Sequence, residues 1–466
     1  MRDPGYVFGP TFSEMRDPST IRSGLRARAL AARQEDPLDP ICLYDITWKD
    51  EHGGVRHVVM PPELTGVDAP IALLVGRFFP SGSHKVGAVY SILTEHQQAG
   101  EIEPGRHTIV CPSTGNYGIG GAWVGPRMGY RSLVVLPEEM SAERFEQIER
   151  YGATYVKTPG CESNVKEIFD KVWELRREPN NRVLEQFSEF GNYRFHAGVT
   201  GPAAAELAET LGAVGIGDGR VAAFVSAMGS AGTIAAGDHL KARQGGGDNG
   251  DGGCAVVGVE PVQCPTLYDV GFGGHRIEGI GDKHVTWIHN VRNMDLLVCV
   301  DDLDCLEGLQ LLQQGTEHLI AAGVPEVAAR GFVDTFGISS VCNLLASIKT
   351  VRALGLGRDD LVVTVATDGF DRYPSVIERL ERERGPMDRD EALRRLEGLR
   401  RQDTSWTLEG SRAVRRRWHN QKYFTWVEQQ GKTVEALRAQ EDPGFWAEQR
   451  ARLDAIDARQ RELRGF

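Results

Sequence analysis

Long apolar runs are missing from this sequence. No uninterrupted apolar stretch approaches the ~18 residues that a membrane span needs, and the opening "MRDPGYVFGP" lacks the apolar core of a signal peptide. A cytoplasmic protein with no membrane partner is expected. Positive charge is also in short supply: the formal net charge is −12 at pH 7, whereas nucleic-acid and membrane-surface binders normally carry a basic excess. Metal-ligand spacing is absent too. The eight cysteines (Cys42, Cys111, Cys161, Cys254, Cys264, Cys299, Cys305, Cys342) form no CxxC pair and no HExxH occurs, so no metal site is assigned and a metal hydrolase is disfavoured. Most lie in apolar runs such as "LLVCV" and read as buried thiols of a reducing compartment. No internal repeat is visible.

What is present is an alternation. At 466 residues the chain is long enough for about two to three units. From about residue 105 to 380, short β-branched runs alternate with helix-period segments, the pattern of a parallel sheet covered by helices, so the fold class is α/β. The expected strands are "HTIVC", "SLVVLP", "TYVK", "VAAFVS", "AVVGVE", "LLVCV" and "LVVTVA". Val165, Ile168, Phe169, Val172 and Leu175 share one helical face. "QGGGDNGDGGCA", residues 244–255, reads as an exposed flexible loop. Residues 1–60 look like an N-terminal arm, residues 61–380 like the core, and residues 381–466 like a helical extension with a late helix after Pro443. Within that extension, "RAVRRRWHNQK" from Arg412 to Lys422 reads as a solvated or subunit-facing helix in preference to an anion site. Trp406, Trp418, Trp426 and Trp446 predict that the extension packs on the body or on a second subunit, and a homodimer is the expected assembly.

Three segments carry chemistry. "FFPSGSHKVGAVYSIL" places Lys85 between a polar turn and an apolar helical stretch; alone, such a lysine is usually a surface charge. "CPSTGNYGIGGAW" follows a strand and offers Ser113, Thr114, Gly115 and Asn116 at a strand-to-helix turn, where hydroxyls and unpaired amides cradle a carboxylate or simply cap the helix. "VSAMGSAGTIAAGDHLK" repeats that logic with Gly229, Ser230, Ala231, Gly232 and Thr233, small enough for the backbone to approach a phosphate. It is neither GxGxxG nor GxxxxGK[ST], which disfavours dinucleotide and Walker-type nucleotide sites.

Read in order, "STGNYG", "VVLPEEMSAERFEQIERYGATYVKTPG", "HAGVTGP", "GSAGT", "GVEP", "HRIEGIG" and "FGISS" resemble the cysteine synthase and cystathionine β-synthase family of pyridoxal 5′-phosphate enzymes, over roughly residues 70 to 378. The resemblance implies fold type II: two α/β domains with mostly parallel sheets, the smaller, at about residues 92–190, mobile. It makes Lys85 the Schiff-base lysine and Asn116 the partner of the cofactor's 3′-oxygen, with the Gly229–Thr233 loop around the phosphate. Ser113, Thr114, Gly115 and Gln186 would hold the substrate carboxylate, and Gly279, Ile280 and Gly281 would lie at the entrance. His196 and Thr200 are ranked as structural.

Departures from the family bear on specificity. His84 precedes the lysine, as in tryptophan synthase β chains, and could touch the phosphate. Ala231 replaces a usual glycine. "ATDGFDRYPS" stands where the family has Ser-Gly-Glu-Arg-Tyr, so Thr367 or Asp368 must face the pyridine nitrogen; Thr367 is preferred, because a hydroxyl leaves that nitrogen neutral. Asp282, Lys283 and His284 could meet a polar substrate group. The implied activity is β-replacement on O-acetyl- or O-phosphoserine by a small nucleophile, through an aminoacrylate intermediate. The alternatives are a serine or threonine ammonia-lyase-like elimination and a non-catalytic, cofactor-binding regulatory homologue.

Overall fold

Eleven strands form two sheets in the computed structural model, which describes residues 8–113, 115–160, 165–245 and 253–465. In chain order they are β1 (His57–Met60), β2 (Ile71–Val75), β3 (Thr108–Pro112), β4 (Arg131–Pro137), β5 (Thr154–Thr158), β6 (Asn181–Val183), β7 (Val221–Ala227), β8 (Ala255–Pro261), β9 (Leu296–Val300), β10 (Leu361–Ala366) and β11 (Thr407–Glu409). The larger sheet runs β1-β2-β10-β7-β8-β9-β11, parallel inside with an antiparallel strand at each edge. The smaller, β5-β4-β3-β6, is wholly parallel.

Side-chain alternation explains why the larger sheet is covered on both faces. Ala72 and Leu74 of β2 enter one apolar cluster, Ile71 and Leu73 the other, and β7 splits the same way, with Phe224 on one side and Ala223 and Val225 on the other. All seven runs expected to be strands are strands. The helix Val165–Leu175 also forms, burying Ile168 and Val172 against β3 and β4 and Phe169 against Phe187 and Trp426. Most of the glycine-rich loop, residues 246–252, lies outside the described residues.

The C-terminal region departs from expectation in two ways. It supplies a strand as well as helices, because β11 pairs with β9 and closes an edge of the larger sheet. The helix Arg412–Lys422 is neither solvated all round nor reserved for a second subunit: Trp418, His419 and Lys422 are buried against this chain's own body. The sequence pattern misled because arginines dominate the count, yet Arg415 bonds Met294 O (2.8 Å) and Asp295 (2.7 Å) of the body, and only Arg412 and Arg416 stay exposed without such bonds among the described residues. The last helix, Pro443–Arg464, docks on the N-terminal segment, where Asp457 accepts the amides of Phe12 (2.6 Å) and Ser13 (2.9 Å).

Candidate active site

Strand ends build the site, as is usual in open α/β sheets. β2 stops at Val75, and the turn that follows makes Lys85 the first residue of the helix Lys85–Gln98. Lys85 lines a narrow cavity with Ser113, Gly115, Asn116 and Gln186 around the smaller sheet, and with Ser230, Thr233, Gly279, Ile280 and Thr367 around the larger. Many of the sequence-predicted residues therefore converge, while Gly229, Ala231 and Gly281 line a neighbouring chamber. Thr114 lies outside the described residues. A wider cavity lined by Arg292, Arg412 and Arg416 shares no residue with this one.

His84 is buried beneath the lysine. Its Nε2 lies 3.2 Å from Thr233 Oγ1, its ring stacks on Trp48 with centroids 5.4 Å apart, and His196 meets it edge-on at 5.2 Å. Burial, reinforced by the charge of Lys85, pulls its pKa well down, so a neutral imidazole abuts Thr233. Trp48 Nε1 donates to Thr200 Oγ1 (3.0 Å), which also lies 3.0 Å from His196 Nδ1. His196 and Thr200 thus brace His84 from behind.

After β7 the loop Gly229–Thr233 turns with Ala231 at φ +57°, a left-handed conformation that costs a non-glycine residue about 1–2 kcal/mol. Such a turn directs successive amides to one concave side. Among the described residues, none of the amides from Gly229 to Thr233 donates to a protein acceptor. A Cβ on Gly232 would lie 2.0 Å from Asn192 Oδ1, so only glycine fits there. The loop is tied in place by Asn192, whose Nδ2 donates to Ser230 Oγ (3.0 Å) and to Gln186 O (2.9 Å).

Opposite, Gly115 adopts φ +145° to start the helix Asn116–Arg127. The Ser113 hydroxyl accepts the amides of Gly115 (2.8 Å) and Gly118 (2.7 Å). It is bonded to its own turn, the capping alternative for this segment; the amides of Asn116 and Tyr117 have no acceptor among the described residues. Gln186 adds a side-chain amide, 3.4 Å from Pro112 O.

Sequence reasoning missed a buried polar chain behind Asn116. Asn116 Nδ2 donates to Asp368 Oδ2 (2.6 Å), which also accepts from the Tyr373 hydroxyl (2.9 Å). Arg144 donates to Asn116 Oδ1 (3.1 Å), to Tyr373 Oη (3.0 Å) and to Glu278 Oε2 (2.6 Å). Burial raises the Asp368 pKa against the opposing pull of Arg372 and Arg144. Arg144, Glu278 and Tyr373 all lie in segments singled out above, but only the fold brings them together. Thr367 faces the cavity, whereas Asp368 sits behind Asn116.

The entrance loop turns at Gly279 (φ +97°) and Gly281 (φ +81°), and the Gly281 amide donates to Met228 O (2.8 Å). Gly281 lines a neighbouring chamber with Asp282, whose carboxyl oxygens have no hydrogen-bond partner among the described residues. Burial pushes the Asp282 pKa up to about 7, although the charge of Lys85 works in the other direction. Lys283 is exposed, and His284 packs among Phe169, Phe187 and Trp426.

A cradle of free amides, a lysine at one helix start and an asparagine at another fit a small phosphate-bearing aldehyde cofactor; together with the two sheets, they define an enzyme that holds such a group between two α/β units. Residues 66–368 match the family described as pyridoxal-phosphate dependent enzyme, and the chain belongs to that family, with pyridoxal phosphate as its cofactor. It is 30% identical over 298 residues to a cysteine synthase of Staphylococcus aureus, covering 64% of this chain and 84% of that one. It is 31% identical over 331 residues to cysteine synthase 3 of Caenorhabditis elegans, covering 70% and 87%. The crystal structure of a cysteine synthase from Entamoeba histolytica shares the fold at a TM-score of 0.59 and 22% identity, covering 75% of this chain and 93% of that one. The architecture is that of fold type II.

Proposed function

We propose that the chain catalyses β-replacement on a serine derivative, O-acetyl- or O-phosphoserine, with sulfide or another small nucleophile. The observation that carries this reading is the convergence of Lys85, the amides of two helix-start turns and Thr367 on one cavity, in a chain whose relatives are named cysteine synthases.

Each residue has a role. Gly229, Ser230, Ala231, Gly232 and Thr233 hold the phosphate, with His84 under Thr233; Lys85 carries the cofactor and Asn116, oriented by Asp368 and Arg144, meets its 3′-oxygen. The substrate carboxylate rests on the helix start at Ser113 to Tyr117, Thr114 and Gly115 included, and on Gln186. When bound, the cofactor withdraws electrons from the substrate's α-carbon, which makes loss of a β-substituent accessible. Lys85 Nζ takes the α-proton. Thr367, a hydroxyl, leaves the ring nitrogen neutral, which suits β-chemistry. Gly279, Ile280 and Gly281 close the entrance, and a unit of about residues 92–190 moves with the substrate to keep water off the reacting carbon. A homodimer is proposed as the assembly. A cytoplasmic setting is supported by the seven described cysteines, all buried and free, and by the absence, among the described residues, of a helix able to cross a membrane.

The test is an absorbance scan before and after O-acetylserine, O-phosphoserine, serine and threonine are added with sulfide, alongside Lys85→Ala and a product assay. Expected are a visible cofactor band that one serine ester shifts, a new β-substituted amino acid, and turnover in Lys85→Ala reduced about a thousandfold or more. Release of only a keto acid and ammonia would make it an elimination enzyme. Cofactor binding with no turnover of any of these would leave a regulatory homologue.

A further inference from the structure

The C-terminal extension reaches the cofactor pocket from behind. Lys422, at the end of the helix Arg412–Lys422, is fully buried. Its Nζ lies 2.6 Å from His289 O, 3.0 Å from Trp287 O and 2.7 Å from Gln440 Oε1, and the Trp446 ring covers it at 5.5 Å. All three polar neighbours are acceptors. A neutral amine would turn a lone pair toward one of them, whereas the three N–H groups of an ammonium match the three oxygens. Burial pushes this pKa well down; the oxygens and the ring face oppose that push.

Four residues on, Trp426 Nε1 donates to Val285 O (2.8 Å). The extension therefore grips the carbonyls of residues 285, 287 and 289 in succession. That gripped segment supports two walls of the Lys85 cavity. Thr286 Oγ1 donates to Ser230 O in the phosphate loop (2.9 Å), and the Trp287 amide donates to Phe187 O (2.9 Å), next to Gln186.

We propose that Lys422 is a positioning residue for the cofactor pocket: its ammonium, a fixed internal cation in a cage of oxygens, holds Val285–His289 so that the loop at Ser230 and the wall at Gln186 keep their shape. The cage has the spacing and the acceptors that a potassium or ammonium ion accepts. The extension is then a structural part of the active site, beyond any role in assembly. This inference needs the cofactor class and not the β-replacement reading.

Cofactor affinity of the full chain tests it, by titrating apoprotein with pyridoxal phosphate and following the visible band. Lys422→Ala is expected to bind the cofactor about tenfold more weakly, because Trp287 O and Gln440 Oε1 lose the Lys422 donor and His289 O is left with the Val291 amide alone. Added potassium or ammonium at about 100 mM should recover most of that loss by entering the vacated cage, while choline, too large for it, should not. Lys422→Met, which refills the space with an apolar stem, should stay weak in every salt. Wild-type affinity in folded Lys422→Ala, or a loss that potassium and ammonium leave untouched, overturns the proposal. If Lys422→Ala does not accumulate as folded protein, Trp426→Phe decides: it keeps a ring, loses the bond to Val285 and should weaken the cofactor about threefold, and unchanged affinity there overturns the proposal as well. Failure of the wild type to perform β-replacement would leave these affinities, and their meaning, intact.

Discussion

Asp282 shows what burial does to one residue. Its carboxyl, ordinarily near 3.8, is raised to about 7 by burial, against the pull of Lys85. Below about pH 4 it is protonated whether the chain is folded or not, and contributes nothing to pH dependence. Between about pH 4 and 7 only the unfolded chain releases that proton, so the folded state loses up to about 4 kcal/mol across this window. Asp282→Asn cannot lose it. Thermal unfolding of the variant should match the wild type at pH 4 and exceed it increasingly toward pH 8; parallel curves at all pH values would refute the assignment. Lys85, Asn116 and the Gly229–Thr233 loop were legible in the sequence because each sits at a strand-to-helix turn of short-range character. Whether the Ser113 hydroxyl caps its helix or meets a ligand stayed open in the sequence because composition does not reveal whether a side chain bonds its own turn, and here two amides donate to it. Thr367 lines the cavity and Asp368 bonds Asn116, a difference that depends on which side of the end of β10 each faces.

At the scale of elements, the helix Ala142–Arg150 couples the smaller sheet to the larger through Arg144, Gln147 and Glu143. Gln147 Nε2 donates to Asp371 Oδ2 (2.9 Å), and Glu143 accepts from the Ser375 amide (2.9 Å) and hydroxyl (2.7 Å). Arg144 is fully buried at this junction and paired with Glu278 at 2.6 Å. Removing one partner of a buried ion pair costs about 3–5 kcal/mol, because the other is stranded. Arg144→Ala should therefore lower the denaturant midpoint and weaken cofactor binding, as Asn116 loses its orienting donor; an unchanged midpoint would show that the pair is solvated. The strands that the sequence did not disclose are instructive. β6 and β11 are three residues each and half-buried or exposed at sheet edges, too short for a period to register. β1 and β2 precede the region where strand and helix patterns alternate, and β2, "IALLV", is apolar on both faces and so has no period of two.

In the whole molecule, the two ends of the chain meet. Asp457 caps the N-terminal helix turn, Gln460 reaches Gly9 O and the Tyr90 hydroxyl, and Trp418 and Trp426 bond carbonyls of the core. Deleting residues 387–466 should thus leave a chain that lacks β11, exposes apolar surface and loses its cofactor band, as measured by solubility and absorbance; a soluble, cofactor-loaded truncation would show that the extension is dispensable. The sequence by itself determined the α/β class, seven strands and the turns at their ends, because hydrophobic period and turn chemistry are local properties of the chain; the cofactor came from its resemblance to a known family. Only the tertiary structure decided that the extension completes the larger sheet, that Arg144, Asn116, Asp368, Tyr373 and Glu278 form one buried chain, and that Lys422 sits in an oxygen cage beside the pocket. Those arrangements join residues up to hundreds of positions apart, and their energy comes from the desolvation of groups whose partners no local pattern can name.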